Sequence, residues 1–109
     1  MQIARFDKAT AILAHNNTIL AAPVLPEGMP APFSHAWGYV EAEGALEGHA
    51  HPTVEAYFIH LGEGEITVGD ETAAVSAGDL VVIPSGAYHA LRNITNEPLQ
   101  WFALWWPEA

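Results

Sequence analysis

The sequence predicts an all-β sandwich or barrel, on three observations. From Phe33 onward, short apolar runs recur about every 8–12 residues. Each run is closed by Gly, Asp or Pro, the residues that turns demand. No helical period lasts longer than one turn.

Taken in order, residues 1–32 read as an irregular arm. Ile3 to Leu13 suits either a short strand or a frayed helical turn, and Asn16-Asn17 marks a turn. Pro23, Pro26, Gly28, Pro30 and Pro32 then exclude a helix and remove ladder donors. This arm is expected to pack on the barrel or on a partner subunit. The domain proper is residues 33–109, with strands expected at Ser34–Ala42, Ala45–Ala50, Val54–Leu61 and Glu65–Val68. Further strands are expected at Thr72–Ser76, Leu80–Ile83, Ala87–Arg92 and Leu99–Trp106. Glu43-Gly44, Gly62-Glu63-Gly64, Gly69-Asp70, Ala77-Gly78-Asp79 and Pro84-Ser85-Gly86 supply the turns. The last run, from Leu99 to Trp106, is apolar on both parities, as a strand covered on both faces would be. Leaving Trp101, Phe102, Trp105 and Trp106 partly in water would be costly, so a homodimer is expected.

Composition narrows the function. The 109 residues hold one domain, and with half of them hydrophobic the chain can bury a core. Charges of 3 − 13 give a net −10, which repels phosphate backbones and anionic lipid, so neither nucleic acid nor membrane is an expected partner. Without cysteine there is no disulfide, thiolate nucleophile or sulfur-ligated metal. No basic-then-apolar leader pattern opens the chain, and a cytoplasmic protein is expected.

The chemistry concentrates in the histidines. His49 and His51 are two apart, and on a strand they point to the same side. With Glu55 and His89 they make a set of three imidazoles and one carboxylate, which suits a divalent transition metal. A six-coordinate ion held this way keeps about two positions for water, dioxygen or a ligand. Iron, manganese, nickel, zinc and copper all fit such donors.

Two motifs carry a resemblance to the cupin superfamily. The first is G-x(5)-H-x-H-x(3)-E-x(6)-G, matched from its first histidine onward by His49, His51, Glu55 and Gly62. Gly44 departs from it, preceding His49 by four intervening residues instead of five. The second, G-x(5)-P-x-G-x(2)-H-x(3)-N, is met throughout by Gly78, Pro84, Gly86, His89 and Asn93. The chain resembles the small single-domain microbial members over roughly Phe33 to Trp106. That resemblance implies a jelly-roll β-barrel with His49, His51, Glu55 and His89 as metal ligands. It also implies turn or scaffold roles for Gly62, Gly78, Pro84, Gly86 and Asn93.

Strand parity sorts the remaining candidates. Glu55 shares a face with Tyr57, Ile59 and Leu61, whereas Phe58 and His60 face away. Tyr57 is therefore the candidate acid–base residue, and His60 a structural one. His35, Trp37 and Tyr39 form an aromatic stripe, read as packing or a subunit face before a pocket wall. His15 sits in a loop and is given no role. Arg5, Lys8 and Arg92 are the only Lys and Arg side chains and none is placed to face the metal, which disfavours phosphorylated substrates. A small oxygen-chelating molecule is expected instead. The expected function is a metalloenzyme of the dioxygenase, isomerase or lyase class; the alternative is a non-catalytic binding or sensor module.

Overall fold

A computed structural model describes residues 1–108; Ala109, the last residue of the expected domain, lies outside them. It contains ten strands: β1 Ile12–Ala14, β2 Ile19–Ala22, β3 Ser34–Val40, β4 Ala45–His49, β5 Thr53–Leu61, β6 Glu63–Val68, β7 Glu71–Ser76, β8 Leu80–Ile83, β9 His89–Asn93 and β10 Leu99–Pro107. They pair antiparallel into a six-stranded sheet, β1-β2-β3-β10-β5-β8, and a four-stranded sheet, β4-β9-β6-β7. All eight expected strands are present, with ends shifted by two residues or fewer. Among the described residues, no helix is long and apolar enough to cross a membrane.

The two sheets close over one core. Alternation turns Ile59 and Tyr57 of β5, Ile83 of β8, Leu91 of β9 and Leu99 and Trp101 of β10 inward, all at most 2% exposed. Asn93 serves as scaffold. Its amide donates to the carbonyls of Glu41 (3.1 Å) and Glu97 (2.6 Å), tying two loops together, while its Oδ1 accepts from the Thr95 amide. Gly62 adopts φ +89°, and a Cβ there would stand 2.3 Å from the Pro98 carbonyl oxygen, so no other residue fits this turn without a backbone shift.

The N-terminal stretch is more ordered than the sequence suggests. β1 and β2 form a hairpin that joins the larger sheet through β3, at Leu20↔Tyr39, Ala21↔Gly38 and Ala22↔Trp37. Strands of three and four residues are too short for alternation to register, which is why they escape a reading of period alone. The Pro-rich segment that follows is pinned by His35, whose Nδ1 accepts from the Val24 amide at 2.9 Å.

Two irregularities override simple parity. Between Leu46↔Leu91 and His49↔His89 the register shifts, so β4 spends one residue more than β9. A second shift, between β10 and β5, leaves His60 without an opposing residue. Leu61 beyond it is 48% exposed and does not share the buried face of Glu55, contrary to the sequence expectation.

Gly38 opposes Trp101 across β3 and β10, and a Cβ on it would meet the indole at 2.4 Å. Gly38→Ala is expected to destabilise the fold by about 1–3 kcal/mol through overpacking, read by denaturant unfolding together with the emission of Trp101. Unchanged stability and emission would show that the indole does not rest on that backbone.

Candidate metal centre

The site forms where the two sheets meet. Glu55 comes from β5 of the larger sheet, His49 and His89 from adjoining ends of β4 and β9 of the smaller one. His51 lies just past β4, its carbonyl accepting from the Gly86 amide at 2.8 Å. The β4 bulge is what aims His49. Leu46 is in the core at 2% exposure, and strict alternation would send a residue three further on to the opposite face. The extra residue reverses that sense, so His49 and His89 stand opposite each other with ring centroids 4.2 Å apart.

The backbone orients each imidazole. Nδ1 of His49 lies 3.0 Å from the Glu47 carbonyl, and Nδ1 of His89 lies 2.9 Å from that of Ala87. Nδ1 of His51 faces the Thr53 carbonyl at 3.2 Å and its hydroxyl at 2.8 Å. A carbonyl can only accept, so Nδ1 of His49 and of His89 carries the proton and Nε2 is left with its lone pair, whereas His51 has an acceptor beside each nitrogen, its Nε2 meeting Glu55 Oε1. Metal-binding histidines are commonly held by such a second contact.

The four donors converge. One ligand atom from each of His49, His51, Glu55 and His89 lies within 4.8 Å of all the others. Glu55 Oε1 is 2.9 Å from His51 Nε2 and 3.1 Å from His89 Nε2. The second contact is not aligned for a hydrogen bond, and His89 Nε2 is fully buried without a partner. An orphaned buried nitrogen is costly in a folded protein. A divalent cation on its lone pair would satisfy it, so the residues present fit such an ion. Burial works to lower the pKa of His89, but the neighbouring carboxylate and the Ala87 carbonyl outweigh it and the net direction is upward.

A cavity of about 400 Å³ opens beside these donors. Tyr57 lines it, its ring centroid 5.8 Å from that of His89, and only 2% of the residue is exposed. Burial first, then the charge of Glu55, pushes the phenol well above its ordinary value, so it is a neutral donor at physiological pH. Trp101 and Trp105 of β10 wall the cavity, and Ala36, Gly38 and Ala103 leave its space free.

One residue given no role by the sequence reading lines the cavity. His15 reaches the cavity from the β1–β2 turn, with its ring 4.5 Å from that of His49. Its turn is unusual: His15, Asn16 and Asn17 all have left-handed φ, 52°, 57° and 62°. Asn16 ties the turn to β4 by donating to the Glu47 carboxylate at 2.6 Å. Burial, then the neighbouring His49, lowers the pKa of His15. The run of three left-handed residues shows only in the fold; Asn16-Asn17 was its sole signal in the sequence.

Of the other candidates, only Trp37 also borders the cavity. Trp37 packs on Phe6, His60 and Phe102, and Tyr39 stacks on Phe6, so the aromatic stripe covers the outer side of the larger sheet. Lys8 pairs with Glu41 and Arg92 with Glu65, and no Lys or Arg lines the cavity.

Comparison with known proteins agrees with this geometry. The chain is 34% identical over 86 residues to a gentisate 1,2-dioxygenase from a Streptomyces species, covering 75% of this chain but only 24% of that enzyme. A Cupin 2 conserved barrel domain protein from Salinispora arenicola superposes with a TM-score of 0.85 at 30% identity, over 97% of this chain and 88% of the other. A predicted oxalate decarboxylase from Thermotoga maritima superposes with a TM-score of 0.75 at 26% identity, over 83% and 81%. Residues 37–106 match the Cupin domain family, Cupin_2, and with nearly two-thirds of its length inside that match the chain belongs to this family.

Proposed function

We propose that the protein is a metal-dependent enzyme in which His49, His51, Glu55 and His89 hold one divalent transition-metal ion. Its substrate is a small, non-phosphorylated molecule that chelates through oxygen. The observation that carries the reading is the convergence of four donor atoms on one point, one of them a buried nitrogen with no other partner. Likeness to a dioxygenase and to a predicted decarboxylase supports an enzyme of the dioxygenase, isomerase or lyase class.

When bound, the ion would supply Lewis-acid polarisation of substrate oxygens and open positions for ligands. The chain supplies the rest. Backbone carbonyls of Glu47, Thr53 and Ala87 fix the three imidazoles before any ligand arrives. The Glu55 carboxylate lowers the net charge at the centre, which favours one anionic oxygen over two. Tyr57, kept protonated, can donate a hydrogen bond or a proton to a bound molecule. His15, with a lowered pKa, can accept one at the cavity mouth. Trp101 and Trp105 exclude water from the wall.

A non-catalytic binding module is the second reading, favoured by one observation. Beyond the four donors, Tyr57 and His15 are the only lining side chains suited to proton transfer.

The protein purified after metal supplementation is expected to hold about one divalent ion per chain, and His49→Ala and His89→Ala to lose most of it, by elemental analysis. Wild type free of metal, or variants that keep it, would overturn the metal reading. With metal present, oxygen uptake or turnover of an oxygen chelator supports the enzyme; binding without turnover supports the binding module. Thr53→Val removes the hydroxyl beside His51 Nδ1 and should weaken metal affinity about tenfold in a competition titration with a chelator. Unaltered affinity would show that this contact does not orient the ligand.

The outer face of the larger sheet bears the expected homodimer contact. Phe58, Phe102 and Trp37 pack there, and Leu80 and Val82 beside them are more than half exposed. Sedimentation should give twice the mass of one chain, and Val82→Glu, at a site already in water, should give the monomer. A monomeric wild type would refute the dimer.

A further inference from the structure

The cavity has only one polar end. The four candidate ligands lie there, with Tyr57, Thr53 and His15 around them; the remaining wall is Trp37, Trp101, Trp105, Leu46, Ile19 and smaller residues. Among the lining side chains, Glu55 is the only carboxylate. Arginine and lysine are absent from the lining, and two of the chain's three such residues are tied to Glu41 and Glu65. Arg5 lines a separate surface hollow near the N-terminus.

The wall also has a shape. Ala36 pairs with Ala103 and Gly38 with Trp101, so methyl groups and bare backbone lie where larger side chains would fill the space. The indole of Trp101 lies against Gly38, presenting a broad apolar surface. A 400 Å³ cavity is within the range of small-molecule sites and larger than a two-carbon diacid needs.

A ligand placed here meets two environments. Its chelating oxygens sit at the metal centre, and its body sits against indole and methyl groups. A second carboxylate on that body would be buried with no cation or row of donors to receive it, in a chain of net charge −10. Taking an ionised group out of water without a partner is strongly unfavourable. A flat unsaturated ring would instead match the indole wall and bury apolar area.

We propose that the site selects a chelator with a flat, apolar, aromatic or conjugated body, and discriminates against ligands that carry a further anionic group away from the chelating oxygens. This deepens the reading of the site as a metal centre and rests on it.

The test uses the whole chain loaded with zinc, anaerobically at pH 8, above the ordinary imidazole range. Zinc binding is measured first by calorimetry. The loaded protein is then titrated with 4-methylcatechol and with 3,4-dihydroxybenzoate, which share a chelating edge and differ in a methyl against a carboxylate. Methylcatechol is expected to bind at least tenfold more tightly. Ala36→Leu, which fills the cavity, should weaken methylcatechol at least tenfold and leave zinc affinity within about twofold. Equal or tighter binding of the benzoate, or binding indifferent to Ala36→Leu in a folded variant, would overturn the proposal while leaving the metal centre intact. No zinc uptake at the first step would overturn both. The comparison of two ligands on wild type decides the matter even if the variant does not fold.

Discussion

A carboxylate buried among three imidazoles is the constraint on which the rest of this structure depends. Glu55 is 5% exposed, and an isolated ionised carboxylate at that depth would be expensive. Its neighbours come from both sheets, so the sandwich cannot close without bringing them together. Three backbone carbonyls hold the Nδ1 side of the rings, so each ring turns Nε2 toward the centre. The arrangement leaves one buried nitrogen without a partner, which a cation among the four donors would satisfy.

The larger sheet is apolar on both faces, and each face has its own use. Inward, Trp101, Ala103 and Trp105 of β10 meet the core and the cavity. Outward, Phe102 packs between Trp37 and Phe58. Both faces of one strand thus explain its continuous hydrophobic run. Polar groups lining the cavity gather at the end of the four candidate ligands, so in the proposed function they would orient a bound molecule and the indoles would set its shape.

Much of the fold was legible because its signals are local. Gly62-Glu63-Gly64, Gly69-Asp70 and Pro84-Ser85-Gly86 mark strand ends, although Gly64 lies within β6. Alternation placed Glu55, Tyr57 and Ile59 on one buried face, and His89 with Leu91 on another, as found. The same rule failed for Leu61, because the irregularity at His60 breaks the period there. It would also have failed for His49 if Leu46 had been used as the reference, since the β4 bulge lies between them. The hairpin of β1 and β2 was not legible, and with it went His15.

The sequence by itself determined that the chain is a sandwich of short strands, where most of them turn, and which four side chains have ligand chemistry at matched spacing. Those properties depend on turn residues and period-two alternation, which act over a few positions. Only the tertiary structure decided that a bulge turns His49 inward, that a left-handed turn carries His15 to the cavity, and that one end of the cavity alone is polar. Each of these depends on which strand lies across the sheet and in what register, information spread over residues far apart in the chain.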